Sequence, residues 1–526
     1  MKNAISKTGR LLAPMVLALL VTGAARAAAP GITSTTGTAG TFNLTAQAAF
    51  ISQPDGQAIY SWGYGCADGS TPGFAPAAIT TGFCHTMQVP GPTLIVTEGQ
   101  TVSVTLTNNL PTSAGNTSIL FPGFQVTSPA GSGVAGLLTK EAVPGQSVTY
   151  TLTASSPGTR AYYSGSQSDL QVEMGMYGAI IVLPDPAKIP SECTSGLHAS
   201  NMAAQAHWNE TDFRLAAAAY DHPKTCYDRE YLFQYSEMDP NIHRLAEEQV
   251  AAAAAACTTG GPGSMGCSLN VPTEPYHPAY FMINGRSMPD LMDPNYAPEY
   301  PHQPYNGNPH MHPGELTLIR GIGTGRWEHP FHEHANHVRI LARDGNLILT
   351  PDGLALAGPP LFNTDTYPGQ AFDGIFYFTG RGLNWDMYGH NPNSKDPNAT
   401  LTCTPDANGY NTGAPTAINF WEWCQDHDKP LQVNPFGDVA AGGPATLPDP
   451  NLFTNGAWFG GSPYLGPDAT TRATFGTCTG SNTSTSCGTT GTTPPSGTIA
   501  NNPSTEAGFA FMWHSHNERE ITTNNI

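Results

Sequence analysis

Four histidines fall within nine residues of this chain, and their spacing suits metal binding. Residues 329–337 read HPFHEHANH and follow the apolar, strand-like run Leu316–Ile319. In a β-strand, side chains two residues apart point to the same face and lie about 6.5 Å apart along the backbone. His332 and His334 therefore point the same way, and can share one metal centre or serve two adjacent ones.

A second His-x-His pair lies near the end of the sequence. His514 and His516 occur in Trp-His-Ser-His, directly after the predicted strand Gly508–Trp513. We predict that the two pairs meet in space. Imidazole suits copper, zinc, iron or nickel, and the general order of affinities favours copper. The alternative is that hydrogen bonds satisfy these histidines without any metal.

Two carboxylates adjoin the pairs. Glu333 alternates to the face opposite His332 and His334, which predicts an outer position or a solvent-facing one. Glu518 falls on the same alternation as His514 and His516 if the strand continues, and is then a carboxylate ligand, a general base or a salt-bridge partner.

Other histidines are weaker candidates. His310 and His312 flank Met311 in a Pro- and Asn-rich stretch that also holds His302, so this segment is either a copper-binding loop or a solvated loop. We interpret His337 and His390 as structural.

The elements that must position these residues are predicted to be strands. The sequence has 526 residues with 57 Gly and 47 Pro, and only 12% are charged, which is typical of a turn-rich, all-β protein. Alternating apolar residues predict strands in segments such as Thr101–Leu106, Ser147–Leu152, Tyr231–Tyr235 and Val338–Leu341.

The chain divides into four predicted segments. Residues 1–27 resemble a signal peptide, residues 41–184 form one β domain, residues 185–227 form a connector, and residues 228–526 form a second β domain. The second domain has insertions near 240–270 and 380–505. The insertion near 240–270 contains a predicted helix, Asn241–Ala256, which we interpret as a surface insertion.

Charge and cysteine content bound the function. A signal peptide implies export to the periplasm, the cell surface or the medium, and no later run reaches the roughly 18 apolar residues of a membrane span. The net charge of −19 argues against nucleic acid as a partner. The ten cysteines fall as neighbours and predict local disulfides: Cys66/Cys84, Cys193/Cys226, Cys257/Cys267, Cys403/Cys424 and Cys478/Cys487.

These features resemble the multicopper oxidases, a family built from cupredoxin domains. Residues 329–334 are similar to the family's His-Pro-x-His-x-His, and 514–516 to its closing His-Cys-His. Three further segments follow the family's landmarks in order: Pro90–Thr93, Gly175–Ala179 and Asp365–Asp373. The resemblance implies tandem cupredoxin-like Greek-key β-sandwiches with a large loop insertion. Because one domain precedes the domain with both motifs, it implies a two-domain member, whose relatives place the copper cluster between subunits of a homotrimer.

The ligand pattern departs from the family in both domains. The first-domain motifs His-Trp-His-Gly and Tyr-His-Ser-His are replaced by Leu120–Gly123 and Tyr162–Gly165. Ser515 stands at the cysteine position, and a hydroxyl cannot replace the thiolate of a blue-copper site. Glu520 stands at the position of the following copper-binding histidine, so His329 alone remains of that site and is expected either to bind metal or to pair with Glu520.

The sequence therefore predicts an exported, copper-binding protein that resembles multicopper oxidases. His329, His332, His334, His514 and His516 are the candidate ligands, for fewer than four copper ions per chain and without a blue-copper site. If it is an oxidoreductase, its substrate is a small molecule or a metal ion, and no catalytic residue can be named. The alternative is a non-catalytic structural or copper-sequestering module. A third hypothesis is a hydrolytic or manganese-oxidising site that uses Glu518 or Glu520.

Overall fold

A computed structural model of the chain describes residues 29–77, 84–207, 213–309, 311, 316–334, 337–377, 399–405, 413–414, 431–432, 443–444 and 513–522. The predicted signal peptide, most of the predicted insertion 380–505, and His310, His312 and His390 lie outside the described residues.

Strands form two sheets that pack against each other in the first half of the chain. They are β1 (Gly31–Ser34), β2 (Thr41–Ser52), β3 (Ala58–Cys66), β4 (Gly73–Ala75), β5 (Leu94–Thr97), β6 (Thr101–Asn108), β7 (Val134–Ala135), β8 (Lys140–Glu141), β9 (Ser147–Thr153), β10 (Gly158–Tyr163) and β11 (Tyr177–Leu183). One sheet has the order β10-β11-β5-β1-β4 and the other β3-β2-β6-β9, while β7 and β8 form a separate ribbon.

The alternation in the sequence explains this first sandwich. Every second side chain of the paired strands β6 and β9 is buried, and these side chains share one core with residues of the other sheet. The buried positions are Val102, Val104, Leu106, Val148, Tyr150 and Leu152. The predicted strands Thr101–Leu106 and Ser147–Leu152 are confirmed, as is the mostly β composition of the fold.

The described helices are few. They are α1 (Ser168–Gln171), α2 (Gly196–His207), α3 (Pro240–Gly260) and α4 (Glu518–Thr522), with short 3-10 turns at Thr112–Ala114, Pro186–Lys188, Ser191–Thr194 and Asp290–Met292. Within the described ranges, no helix combines the length and the apolar character that a membrane crossing requires. Helix α2 falls inside the predicted connector 185–227, where the sequence had indicated no helix.

The second half of the chain builds another pair of sheets. Its strands are β12 (Arg229–Met238), β13 (Tyr280–Ile283), β14 (Leu316–Gly323), β15 (His329–Glu333), β16 (Val338–Arg343), β17 (Asn346–Leu347), β18 (Pro360–Leu361), β19 (Asn363–Thr366), β20 (Ala371–Tyr377), β21 (Leu431–Gln432), β22 (Gly443–Pro444) and β23 (Trp513–Ser515). The larger sheet has the order β13-β12-β14-β20-β16-β17, with β18 paired to β16, and the smaller has the order β19-β15-β23. Among the described strands, β21 and β22 pair only with each other.

An aromatic core joins these two sheets beneath the histidine strand. Phe331 in β15 is 1% exposed and lies 5.5 Å from the Phe233 ring, 5.1 Å from Tyr235 and 6.0 Å from Trp513, measured between ring centres. Because neighbouring residues of a strand face opposite ways, burying Phe331 turns His332 to the other face of the sheet.

Helix α3 corrects one expectation about the predicted insertion 240–270. The predicted helix is confirmed, and the Asp239 side chain caps it by accepting from the Asn241 N–H. It is not only a surface insertion, because Ile242 and Ala246 belong to the core of the first sandwich. Their i, i+4 spacing places them on one helix face. Helix α3 follows β12 of the second sandwich and therefore ties the two halves together.

A buried ion cluster also joins the two sandwiches. Arg320 of β14 pairs with Glu230 at 2.7 Å and with Asp373 at 3.4 Å, all three being buried. The Asp373 carboxylate also accepts from the Thr159 N–H and hydroxyl of the first sandwich, at 3.1 and 2.5 Å. Each buried charge thus has an opposite charge or a donor.

Three of the predicted disulfides are present: Cys66–Cys84, Cys193–Cys226 and Cys257–Cys267. Cys403 is also disulfide-bonded, and its predicted partner Cys424 lies outside the described residues, as do Cys478 and Cys487. The prediction of local pairing is therefore confirmed where it can be checked.

Candidate metal centre

Strand pairing brings the two His-x-His segments together. Strand β23 runs antiparallel to β15, with His514 directly opposite His332 and Ser515 opposite Phe331. The pairing extends past the strand, since the His516 N–H donates to the Pro330 carbonyl at 2.7 Å. Cross-strand partners point to the same face, so His332 and His514 project together away from the aromatic core.

The four imidazoles form one group. Ring centres are 4.7 Å apart for His332 and His334, 5.2 Å for His332 and His514, and 5.2 Å for His334 and His514. One nitrogen from each of these three rings lies within 4.8 Å of the others. His516 is exposed and stands at the edge, with its ring 5.0 Å from His332 and 5.8 Å from His514.

Backbone carbonyls select the tautomer of two of these rings. The Nδ1–H of His332 donates to the Phe362 carbonyl at 2.6 Å, and that of His514 donates to the Ser515 carbonyl at 2.7 Å. In a neutral imidazole this leaves the Nε2 lone pair available. The same arrangement orients histidine ligands in metal proteins.

Burial and mutual repulsion favour the uncharged form of His332, His334 and His514. Burial, together with the neighbouring rings of His332, His514 and His516, lowers the pKa of His334 to about 4. Burial likewise lowers the pKa of His332 and of His514, opposed in each case by the carbonyl contact. Metal ions bind the neutral form of imidazole, so these rings are in the protonation state that metal binding requires.

The donor set fits a single imidazole-bound ion. The Nε2 atoms of His334 and His514 are 3.2 Å apart. Two ligand nitrogens about 2.0 Å from one tetrahedral ion are separated by about 3.3 Å. Without a metal, one of these two nitrogens must donate a proton to the other. His332, His334 and His514 thus form a site that a metal ion would complete.

His329 does not join this group. It lies on the opposite face of β15, is 0% exposed, and contacts a carboxylate through each ring nitrogen. Nε2 is 2.8 Å from Glu237 Oε2, and Nδ1 is 2.9 Å from Glu520 Oε1. The first contact is a hydrogen bond; the second is close but poorly aligned, and so acts chiefly as an ion pair. The predicted contact of His329 with Glu520 is confirmed. His329 was also a candidate metal ligand, but in this structure a carboxylate faces each of its ring nitrogens.

For each carboxylate next to the pairs, the structure excludes one predicted position: a solvent-facing Glu333 and a Glu518 on the strand alternation. Glu333 is 2% exposed rather than solvent-facing, because its face of β15 packs into the second core, and neither of its carboxyl oxygens has a hydrogen-bond partner among the described residues. Burial raises the pKa of Glu333 well above its ordinary value. Glu518 does not continue the strand alternation, since β23 ends at Ser515 and Glu518 begins helix α4, exposed.

Residues of Leu120–Gly123 and Tyr162–Gly165, which stand where the family has its first-domain histidine motifs, pack in the core of the first sandwich. The Phe121 ring lies 6.0 Å from the rings of Tyr150 and of Tyr162, and the Tyr162 hydroxyl donates to the Pro92 carbonyl at 2.7 Å. The Ser164 hydroxyl donates to Gln171 at 2.6 Å. These positions therefore contribute stability to the first sandwich and no imidazole.

Neither His302 nor His337 belongs to the group of His332, His334 and His514. His302 contacts the Met87 carbonyl through Nδ1 at 2.8 Å, and the His337 ring lies 5.5 Å from Phe362. Both contacts agree with structural roles. The copper-loop hypothesis for His310 and His312 falls on residues that are not described, and stays a prediction.

Three residues of the site's surroundings had no signal in the sequence. Glu237 is the last but one residue of β12, Tyr276 follows α3, and Glu173 follows α1, so no short spacing joins them to His329. Yet the Tyr276 hydroxyl lies 2.9 Å from Glu173 and 3.4 Å from Glu237. Only the meeting of the two sandwiches makes them neighbours.

Known proteins share parts of this chain. The profile of the multicopper oxidase family matches residues 78–187. A laccase, abr2, of Aspergillus fumigatus is 38% identical over 100 residues, which cover 19% of this chain and 16% of the laccase. L-ascorbate oxidase of Brassica rapa is 36% identical over 96 residues, 18% of this chain and 16% of that enzyme. The matched segments thus span about a sixth of these relatives.

A solved structure aligns with part of this chain. The copper nitrite reductase of Nitrosomonas europaea aligns with 64% of this chain and 84% of its own, at 20% identity and a TM-score of 0.38. The matches together show that this mostly β chain contains a multicopper oxidase segment, residues 78–187, and resembles a laccase and an ascorbate oxidase over about a fifth of its length.

Proposed function

We propose that this protein binds copper through His332, His334 and His514, with His516 as a fourth ligand at the exposed edge. The observation that carries the proposal is the convergence of three imidazole nitrogens within 4.8 Å, on rings of which two are oriented by backbone carbonyls. Copper is favoured over other divalent ions by an all-imidazole donor set. The chain offers ligands for fewer than the four copper ions of a complete multicopper oxidase.

The site is open on one side. His516 is exposed, and the side chain of His332 is only partly covered, whereas Phe331 seals the opposite face of the strand. Copper bound by these imidazoles would supply one-electron redox chemistry. Because Ser515 provides no thiolate for a blue-copper centre, a small-molecule or metal-ion substrate would have to reach the histidine site directly.

The second candidate function is a non-catalytic, copper-sequestering or structural module. The packing of Phe121 and Tyr162 favours it, because the described first sandwich places no histidine at the positions where the family binds its oxygen-reducing cluster. A single copper site of this kind stores or buffers copper without turnover. Oxygen uptake separates this candidate from an oxidoreductase.

The proposal extends to the whole chain. Residues 1–27 are removed on export, residues 41–184 and 228–526 are separate cupredoxin domains joined by 185–227, and the mature protein acts in the periplasm, at the surface or outside the cell. Three intact disulfides support an oxidising compartment. A homotrimer, in which a neighbouring copy faces the open side of the histidine site, is the proposed assembly.

Metal analysis combined with oxygen uptake tests the proposal. The protein is loaded with copper, freed of excess metal, and compared with the double variant His332→Ala with His514→Ala. His85→Ala is the matched control, since His85 is exposed and distant in sequence from both pairs. We expect stoichiometric copper in the wild type and control and none in the double variant. Oxygen uptake with phenols or reduced metal ions identifies an oxidoreductase, and copper without uptake identifies the sequestering module. No copper above background refutes copper binding and leaves only the structural module.

A further inference from the structure

The position of the blue copper in a cupredoxin domain is occupied here by a buried cluster of charges. Glu237, His329 and Glu520 come from β12, β15 and α4, and their side chains are 0% exposed. The two carboxylates contact opposite nitrogens of the one imidazole. Their oxygens therefore cannot converge with an imidazole nitrogen on a single ion, and Ser515 adds no thiolate. The residues present do not fit copper at this position.

We propose that Glu237, His329 and Glu520 form a metal-free clamp that holds the closing segment, residues 513–520, so that His514 meets His332 and His334. Its effect on metal affinity rests on the proposed function, whereas its effect on the closing segment does not.

The closing segment is anchored on both sides of its histidines. Before them, the Trp513 ring lies 4.8 Å from that of Phe376, and its indole N–H donates to the His334 carbonyl at 3.1 Å. After them, Glu520 contacts His329, and the Arg519 guanidinium lies 5.1 Å above the Trp327 ring. His514 is therefore held between an apolar anchor and a charged one.

The clamp is braced from the first sandwich. Glu237 accepts hydrogen bonds from the backbone N–H groups of Arg326 and Trp327, and its other neighbour is the Tyr276 hydroxyl, which also contacts Glu173. Glu173 in turn accepts from the Asp239 N–H at 2.7 Å. Because Glu237 has these fixed donors, the mobile partner of the clamp is Glu520, on the short helix α4.

Loss of Glu520 is expected to free the closing segment. The His329 imidazole then keeps Glu237 as its counter-charge but loses its contact with the closing segment, and breaking one contact of a buried ion cluster is destabilising. Glu520→Gln keeps the side-chain shape and removes the charge, while Glu520→Ala removes both. Glu518→Gln is the matched control, because it makes the same charge change two residues earlier in the same helix, at an exposed position.

Hydrogen exchange on the metal-free protein tests the clamp itself. In both Glu520 variants we expect the amides of residues 514–516 to exchange at least about tenfold faster, with β6 and β9 unchanged. Glu518→Gln is expected to match the wild type. Unchanged protection of residues 514–516 in Glu520→Gln would overturn the proposal, and so would loss of protection throughout the protein, because the clamp is a local device.

Metal affinity tests the positioning role. With Zn²⁺ as a redox-silent probe, Glu520→Gln is expected to raise the Kd about 10- to 100-fold, as loss of outer partners does elsewhere, and Glu518→Gln to leave it unchanged. If the wild type binds neither zinc nor copper, the proposed function fails, and the exchange measurement still decides the clamp. Copper retained by His332→Ala with His514→Ala, and lost when Glu520→Ala is added, would show a metal site at the clamp and overturn its metal-free character.

Discussion

Replacing Glu173 by glutamine is expected to stabilise the protein progressively as the pH rises. The Glu173 side chain is 1% exposed, and burial raises its pKa to about 8, opposed by hydrogen bonds from the Asp239 N–H and from Tyr276. The folded protein therefore keeps a proton on this carboxyl near neutral pH, whereas the unfolded chain releases it near pH 4.5.

The direction in which stability changes with pH follows from the raised pKa of Glu173. The contribution of Glu173 to stability is fully present below pH 4.5 and is lost as the pH rises through about 8, because the folded state must then either hold the proton or bury a charge. The interval between the two pKa values corresponds to at most about 5 kcal/mol.

Glutamine reproduces the protonated carboxyl. Its side-chain oxygen can accept from the Asp239 N–H, now 2.7 Å from Glu173 Oε1, and its NH₂ group can donate to the Tyr276 oxygen, now 2.9 Å from Oε2. Tyr276 remains free to donate toward Glu237. The variant has no proton to lose, so it escapes the cost that grows with pH.

Urea unfolding at about pH 5 and about pH 9 measures the effect. The free energy of unfolding of Glu173→Gln, relative to wild type, is expected to rise by several kcal/mol between the two pH values. Glu274→Gln is the control, since the Glu274 side chain is 77% exposed and the difference should stay flat. A flat difference for Glu173→Gln as well would refute the reasoning, because it would mean that Glu173 titrates as an ordinary carboxylate.

Three further predictions follow from single features of the structure. Ser515→Cys, loaded with copper, is expected to show no thiolate-to-copper absorption band, because Glu237 and Glu520 hold both nitrogens of His329; a blue protein would contradict this. Phe331→Ala is expected to lower the free energy of unfolding by about 3–5 kcal/mol, against less than about 0.5 kcal/mol for Phe50→Ala, whose side chain is 48% exposed. Replacing Cys257 and Cys267 together by alanine removes a cross-link with a sequence separation of 10 and should cost about 3 kcal/mol; a loss below about 1 kcal/mol would show that helix α3 holds its own end in place.

The sequence predicted the elements whose pattern is local. Alternation at Val102, Val104 and Leu106 indicated a strand with one buried face, and the spacing of His332 and His334 indicated a shared face. The proximity of His514 and His332 was also predicted, because the resemblance to the multicopper oxidases implies that the two His-x-His motifs lie in one site. Periodicity and motif spacing carry this information within a few residues.

What the sequence did not reveal depends on contacts between distant segments. Glu237 lies 92 residues from His329 in sequence, and nothing in its surroundings marks it as an ion-pair partner. The burial of Glu333 was missed because alternation shows which residues share a face, but not whether the opposite face meets solvent or a core. Glu518 was misplaced because β23 ends after three residues and a helix begins, at whose start the Asn517 side chain accepts from the Arg519 N–H. Asn is a common residue at the start of a helix, and the strand alternation did not take it into account.

Copper content per chain tests the central claim most directly. The wild type is loaded with copper, separated from free metal and analysed for bound copper, with paramagnetic resonance reporting the nitrogen ligands. We predict one copper ion held by imidazole nitrogens, lost in His332→Ala with His514→Ala and retained in His85→Ala. No bound copper, three bound copper ions, or copper that survives the double substitution would contradict the account.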